Sequence, residues 1–216
     1  MTDCQFVAGF ASGAEIAQLQ DWIAPQLHRF REAVGYGSFG PRCRHLDGVQ
    51  IEQCLPELVA YGDERVRPAV EAFAGHPVVT ASDRGRARRV QIFTDPRHGF
   101  RWHYDITPYA ALLTVRNAGA AETQVVSARL SRWLRPAYYP LAWAPAVFSL
   151  LPHQRYAAAA GDMLIMRGDM LLHRGVALAE GERVLLVYAY EAPGQPTASL
   201  RARFAHYVNT RTGASQ

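Results

Sequence analysis

His103 and Asp105 stand two residues apart in Arg101-Trp102-His103-Tyr104-Asp105, and His173 follows in Leu172-His173-Arg174. In extended chain, residues i and i+2 point the same way, so a strand over 101–105 would aim the imidazole and the carboxylate into one space. His173 would complete a set of two imidazoles and one carboxylate. Three such ligands on one side of an octahedral metal leave three positions open, the donor set that suits non-haem Fe(II). Arg183 heads the apolar run Val184-Leu185-Leu186-Val187, where its planar fork could grip a carboxylate through two parallel hydrogen bonds. A second His-x-Asp, His45-Leu46-Asp47, competes for the metal role. Context favours the first copy, because His45 and Asp47 sit amid Gly and Pro, whereas Asp105 leads into Tyr109-Ala110-Ala111-Leu112-Leu113-Thr114-Val115, a buried-strand pattern.

The elements that must position these groups can be read around them. Arg88 to Thr94 reads as a strand ended by the turn Asp95-Pro96-Arg97-His98-Gly99, with His98 as a turn residue. Thr123 to Leu130 reads as a further strand pairing back after Asn117-Ala118-Gly119. Gly161-Asp162 precedes Met163 to Met166, Gly168-Asp169 precedes Met170 to Val176, and Glu180-Gly181-Glu182 precedes Arg183 to Tyr190. Three short strands punctuated by turn residues indicate an antiparallel sheet or barrel. On this reading His173 and Arg183 occupy successive strands of one hairpin and share its inner face. Trp102 and Tyr104 alternate to the opposite face and pack against a helix or the outer sheet.

Toward the N-terminus, Phe6 to Phe10 reads as a first strand. Ser12 then caps a helix, with Glu15 at the capping-box position. Ile16, Leu19, Ile23 and Leu27 recur at helical spacing, with Phe30 and Val34 continuing the face beyond a bend at Pro25. Gly35 to Gly48 lacks the Lys-Ser/Thr of a phosphate-binding loop and reads as a loop near a pocket mouth. Pro56 to Gly75 reads as a second helix. The aromatic, Pro-interrupted stretch 133–143 is either a lid over an apolar substrate or an irregular crossover. The tail after Thr212 is expected to fray.

With 216 residues, 49% hydrophobic and 19% charged, one domain spanning 1–216 is expected, large enough to bury roughly 70% of its unfolded surface. All the basic residues are Arg and the formal charge is only +4, so no nucleic-acid partner is expected. The cluster Arg84, Arg86, Arg88 and Arg89 reads as a solvated loop and strand edge. Cys4, Cys43 and Cys54 are odd in number and lack C-x-x-C spacing, which indicates free thiols rather than disulfides or zinc. With no signal-like N-terminus and no membrane-length apolar run, a cytoplasmic location and no membrane partner are expected. The expected assembly is a monomer or homodimer.

Taken together, His103-x-Asp105, His173 and Arg183 resemble the Fe(II)- and 2-oxoglutarate-dependent dioxygenases, as do Gly161-Asp162-Met163-Leu164-Ile165-Met166 and Gly181-Glu182-Arg183. The resemblance covers about residues 88–191. It implies an α+β fold with a double-stranded β-helix (jelly-roll, cupin-like) core flanked by N-terminal helices. It also implies Fe(II) held by His103, Asp105 and His173, with 2-oxoglutarate on the metal and its far carboxylate on Arg183. Thr114 and Gln91 are weaker candidates for an added hydrogen bond to that acid. O2 would be the oxidant, succinate and CO2 the co-products, and a small molecule, such as an amino acid or natural-product intermediate, the substrate. Hydroxylation is the default, desaturation or cyclisation being variants. Halogenases of the family replace the carboxylate by a small residue, so Asp105 disfavours halogenation. Two rival readings stay open: a cupin-type metal oxygenase that needs no 2-oxoglutarate, and a non-catalytic jelly-roll binding module.

Overall fold

The structure, a computed structural model, describes residues 3–34, 42–119, 121–138, 145–176 and 180–194. In chain order its strands are β1 (Cys4–Val7), β2 (Arg31–Val34), β3 (Arg42–Leu46), β4 (Val79–Thr80), β5 (Arg88–Phe93), β6 (Tyr109–Asn117), β7 (Thr123–Val126), β8 (His153–Tyr156), β9 (Met163–Met166), β10 (His173–Gly175) and β11 (Arg183–Glu191). The large antiparallel sheet runs β1-β9-β6-β11-β5-β3-β2, with β4 pairing the end of β11. A small sheet, β10-β7-β8, packs against it.

Alternation along β11 divides the interior in two. Val184, Leu186, Tyr188 and Tyr190 point outward into the main apolar core, shared with Ile16, Leu19, Leu58, Val66 and Val70 of the helices. The intervening Leu185 faces the other way, into a cluster with Cys43, Phe93 and Ala121. A period of two therefore gives one strand a dry, helix-covered face and a face toward the small sheet.

The helices covering the outer face follow local rules. α1 (Gly13–Ile23) has the full capping box between Ser12 and Glu15. α2 (Gly48–Cys54) is capped by Asp47, α3 (Pro56–Tyr61) carries Pro at its first position, a π turn (Gly62–Val66) joins α3 to α4 (Arg67–Ala74), and the short α5 (Arg84–Ala87) leads into β5. Gly75, at φ 73°, ends α4 in the left-handed conformation that glycine adopts without strain. The Tyr188 and Tyr190 hydroxyls donate to Leu58 O and Gly62 O at 3.0 and 2.9 Å, which fastens this helical run to β11.

Several sequence expectations need correction. The first strand is Cys4–Val7, not Phe6 to Phe10. The first helix does not continue to Val34. Pro25 lacks an N–H, and the chain tightens into a 3₁₀ segment, Ala24–Arg29, before entering β2. Strand β7 stops at Val126, and Leu130 lies in α6 (Ala128–Leu134), where apolar spacing serves a helix as well as a strand. Nor do β10 and β11 form a hairpin. They belong to facing sheets, so His173 and Arg183 converge across the interior. The basic cluster is not uniformly solvated, since Arg88 is buried on the helix side and pairs with Asp63 at 3.3 Å. Cys4, Cys43 and Cys54 are free, and burial pushes the Cys43 thiol up to about 12.

The region around the aromatic stretch forms α6 and a short 3₁₀ turn, Arg135–Ala137, with α7 (Pro145–Ser149) following. Leu134 and Phe148 pack with Trp102, Tyr104, Val126 and Leu172, as a crossover would, while Trp133 is 75% exposed. Residues 35–41, 139–144 and those from 195 onward lie outside the described residues. No helix among the described residues is long and apolar enough to cross a membrane.

Leu186 is 1% exposed on the face of β11 opposite Arg183. Leu186→Ala should lower the unfolding free energy by about 2–5 kcal/mol, read from urea denaturation. Metal affinity of the folded variant should be retained, since the truncation lies behind the sheet.

Candidate metal centre

His103 sits on an isolated backbone bridge rather than in a strand. Its N–H donates to His173 O at 2.8 Å, and its carbonyl accepts from His173 N at 3.0 Å. The two imidazoles are thereby clamped on adjacent chains, with ring centroids 4.2 Å apart. β10 in turn pairs with β7, His173 opposite Val125. Asp105 is tied from another side, its N–H donating to Gly168 O at 2.8 Å. The 101–105 segment is therefore irregular, yet two-residue spacing still turns both side chains inward.

Both rings are oriented alike. His103 Nδ1 lies 2.7 Å from Arg101 O, and His173 Nδ1 lies 2.9 Å from Leu171 O. A carbonyl only accepts, so Nδ1 carries the proton and Nε2 keeps its lone pair. Each Nε2 stands 3.6 Å from an oxygen of Asp105, His103 toward Oδ1 and His173 toward Oδ2. That spacing is too long for a hydrogen bond. The ligand atoms of His103, Asp105 and His173 all lie within 4.8 Å of one another.

Charge states agree with this geometry. Burial pushes His173 down to about 4, helped by the nearby His103, so its ring is neutral near pH 7. For Asp105, burial opposes ionisation, but His173 and His103, with Arg89 beyond them, outweigh it and hold the carboxyl below its usual range. A neutral imidazole and an ionised carboxylate are the forms that bind metal, and the mixed N/O donor set fits Fe(II). The rival pair is split: Asp47 accepts from Gln50 N at 2.9 Å as the cap of α2.

Arg183 comes from the facing sheet and is 3% exposed. Its Nη2 donates to Thr123 Oγ1 at 3.0 Å and its Nη1 to Glu122 O at 3.4 Å. Its Nε has no hydrogen-bond partner among the described residues. Burial lowers it to about 10, with the Glu122 charge opposing. Thr123 lies two residues along β7 from Val125, the partner of His173, so the guanidinium stands about 7 Å along that strand from the metal ligands. Gln91, Leu185 and Thr114 form one row across β5, β11 and β6. The Thr114 hydroxyl is buried without a partner, and Gln91 is buried beside Leu185. The structure thus brings Arg183, Thr114 and Gln91 onto the face of the large sheet that meets the small one.

Two expectations about neighbours hold. Trp102 packs away from the site with Leu134 and Phe148. His98 is a turn residue, though a buried one, accepting from Thr94 N at 3.1 Å. Sequence reading missed Gly168, which it took only as part of a turn. A Cβ there would stand 2.8 Å from the Asp105 Cβ and overlap the carboxylate.

Two facing antiparallel sheets with the triad at one end form a double-stranded β-helix. Solved structures share this fold at low sequence identity. The carbocyclase SnoK from nogalamycin biosynthesis superposes with a TM-score of 0.68 at 14% identity, covering 95% of this chain and 86% of that one. The epimerase SnoN of the same biosynthesis gives 0.65 at 14%, covering 100% and 87%. HygX from Streptomyces hygroscopicus, with nickel and 2-oxoglutarate bound, gives 0.66 at 15%, covering 91% and 85%. No protein-family model and no curated protein sequence matches the chain.

Because Gly168 leaves the space that Asp105 occupies, Gly168→Ala should swing the carboxylate out of the triad. Anaerobic Fe(II) titration should then show affinity reduced by about 10–100-fold, the usual consequence of disturbing a group that orients a ligand.

Proposed function

We propose that this chain is an Fe(II)- and 2-oxoglutarate-dependent oxygenase that oxidises a C–H bond of a small molecule, an amino acid or a natural-product intermediate. Hydroxylation is the default outcome. The observation that carries this reading is the pairing of the His103, Asp105 and His173 cluster with a buried guanidinium whose hydrogen-bond partners are two neutral oxygens. A metal cluster alone would serve a cupin-type oxygenase equally well. A cationic fork about 7 Å farther along β7 suits the second carboxylate of a short diacid.

His103, Asp105 and His173 would hold Fe(II), which, with 2-oxoglutarate and O2, supplies an oxidant for C–H bonds and leaves succinate and CO2. Arg183 binds the far carboxylate, and Thr123 and the Glu122 carbonyl hold its guanidinium in line. The Thr114 hydroxyl, buried without a partner, would donate to the same acid, with Gln91 one row neighbour away. Leu185, Phe93 and Leu112 exclude water around it. Relatives of this fold include an epimerase and a carbocyclase, so substrate placement rather than fold decides between hydroxylation, desaturation and ring closure.

The test is an anaerobic titration with Fe(II) and then 2-oxoglutarate, following the visible charge-transfer band of the chelate. The band should develop in the wild type. In Arg183→Met, Fe(II) should still bind while 2-oxoglutarate affinity falls about 100-fold or more, as expected when one partner of a buried charge pair is removed. Thermal stability of the metal-free variant should match or exceed the wild type, because a buried charge without an ion-pair contact is lost. Fe(II) binding with no band would favour the 2-oxoglutarate-independent metal oxygenase; no Fe(II) binding would end the enzyme reading.

A further inference from the structure

One guanidinium on the inner face of the large sheet reaches Asp105 electrostatically but has no bonded partner in the reading above. Arg89 lies on β5 two residues from Gln91, so it shares that face, and it pairs across with Val187 of β11. Arg183 pairs with Phe93 at the other end of the same ladder, which separates the two positions by four residues, about 13 Å. The metal ligands lie toward the Arg89 end. Asp105 is within electrostatic reach of both Arg89 and Arg86. It is braced by Gly168, just beyond Met166, whose partner Ala110 pairs with Ala189. Arg183 therefore marks the closed end of the site and Arg89 the end left for substrate.

The neighbours of Arg89 leave its charge unmatched. Arg88 is occupied by Asp63, Arg84 by Glu52 and Arg86 by Asp83. Half-buried Arg89 makes no hydrogen bond or ion pair among the described residues. Beside it, His45 pairs with Gln91 across β3 and β5; burial keeps its ring neutral and the Arg31 backbone takes its hydrogen bond, so it does not offset the Arg89 charge. With Fe(II) on one carboxylate, and dianionic 2-oxoglutarate set against Arg183, the centre and Arg89 together retain a single positive charge. A bound group with one negative charge would neutralise it; a phosphate monoester, near −2 at pH 7, would overshoot.

We propose that Arg89 forms a subsite for a carboxylate of the substrate, so that the enzyme selects small molecules carrying one negative charge. This rests on the functional reading above. The guanidinium fork matches a carboxylate in geometry as well as charge, and holding that group fixes which C–H bond of the substrate faces the metal ligands.

The experiment uses the full chain loaded with Mn(II) and saturating 2-oxoglutarate, with affinities for both measured first. Fluorinated monocarboxylates (trifluoroacetate and 4-fluorobenzoate) and their neutral amides are then added, and paramagnetic relaxation of the ¹⁹F signal reports approach to the metal. At least one carboxylate should relax several-fold faster than its amide, and Arg89→Gln should abolish the difference while leaving Mn(II) and 2-oxoglutarate affinities in place. Equal relaxation of acids and amides in the wild type overturns the proposal without any variant. So does a loss of 2-oxoglutarate affinity in Arg89→Gln, which would assign Arg89 to the co-substrate. Failure of the wild type to bind Mn(II) or 2-oxoglutarate overturns the functional reading itself, and this inference with it.

Discussion

A guanidinium is costly to dehydrate, and Arg183 is dehydrated between two sheets with only neutral oxygens to receive its hydrogen bonds. Much of the surrounding architecture can be understood as making that burial tolerable. β11 lies at the centre of the large sheet, flanked by β6 and β5 over most of its length, so its backbone is rigid where Arg183 leaves it. The small sheet supplies Thr123 and the Glu122 carbonyl at the level where the side chain ends. On the reverse face, Leu186, Tyr188 and Tyr190 are locked into the helical layer. The strand cannot rotate to relieve the charge without exposing that core.

The metal ligands depend on the same closure. His173 belongs to the small sheet, His103 is bridged to it, and Asp105 hangs from the turn that follows β9 of the large sheet. Each ligand is oriented by backbone: two carbonyls fix the imidazoles, and a missing Cβ at Gly168 leaves room for the carboxylate. Little of the geometry is entrusted to flexible side chains. Positions set by backbone hydrogen bonds vary less than positions set by rotamers, which suits a centre whose ligand atoms must converge within a few ångströms.

Much of this was legible in the sequence. Residue types and spacing singled out His103, Asp105, His173 and Arg183, and apolar runs located β5, β6 and β11 almost to the residue. What failed was partnership. A period of two announces a strand but not which sheet it joins, so β10 and β11 read as a hairpin when they face each other. α2 is hidden because its cap, Asp47, falls in the Gly35 to Gly48 stretch, which reads as a loop although Arg42–Leu46 is β3, and because Asp47 also resembles a metal ligand. Leu130 reads as strand because Val126, Ala128 and Leu130 alternate with polar Ser127 and Arg129, yet the chain from Ala128 is helical. Gly168 and the unmatched Arg89 were out of reach, since close approach and charge balance emerge only from the register.

The N-terminal strand has a consequence of another kind. β1 runs along β9, pairing Cys4 through Val7 with Met166 through Met163, and the Asp3 carbonyl accepts from Arg167 N at 2.9 Å. Without it β9 would be an open edge, presenting Met163-Leu164-Ile165-Met166 and its unpaired peptide groups to any passing chain. Such an edge is a template for intermolecular sheet growth. β1 and β9 are separated by more than a hundred and fifty residues of chain, so the edge is covered only when two distant segments meet. The aggregation hazard of this protein is therefore set by how fast a contact of long sequence separation forms, a slow class of event in folding.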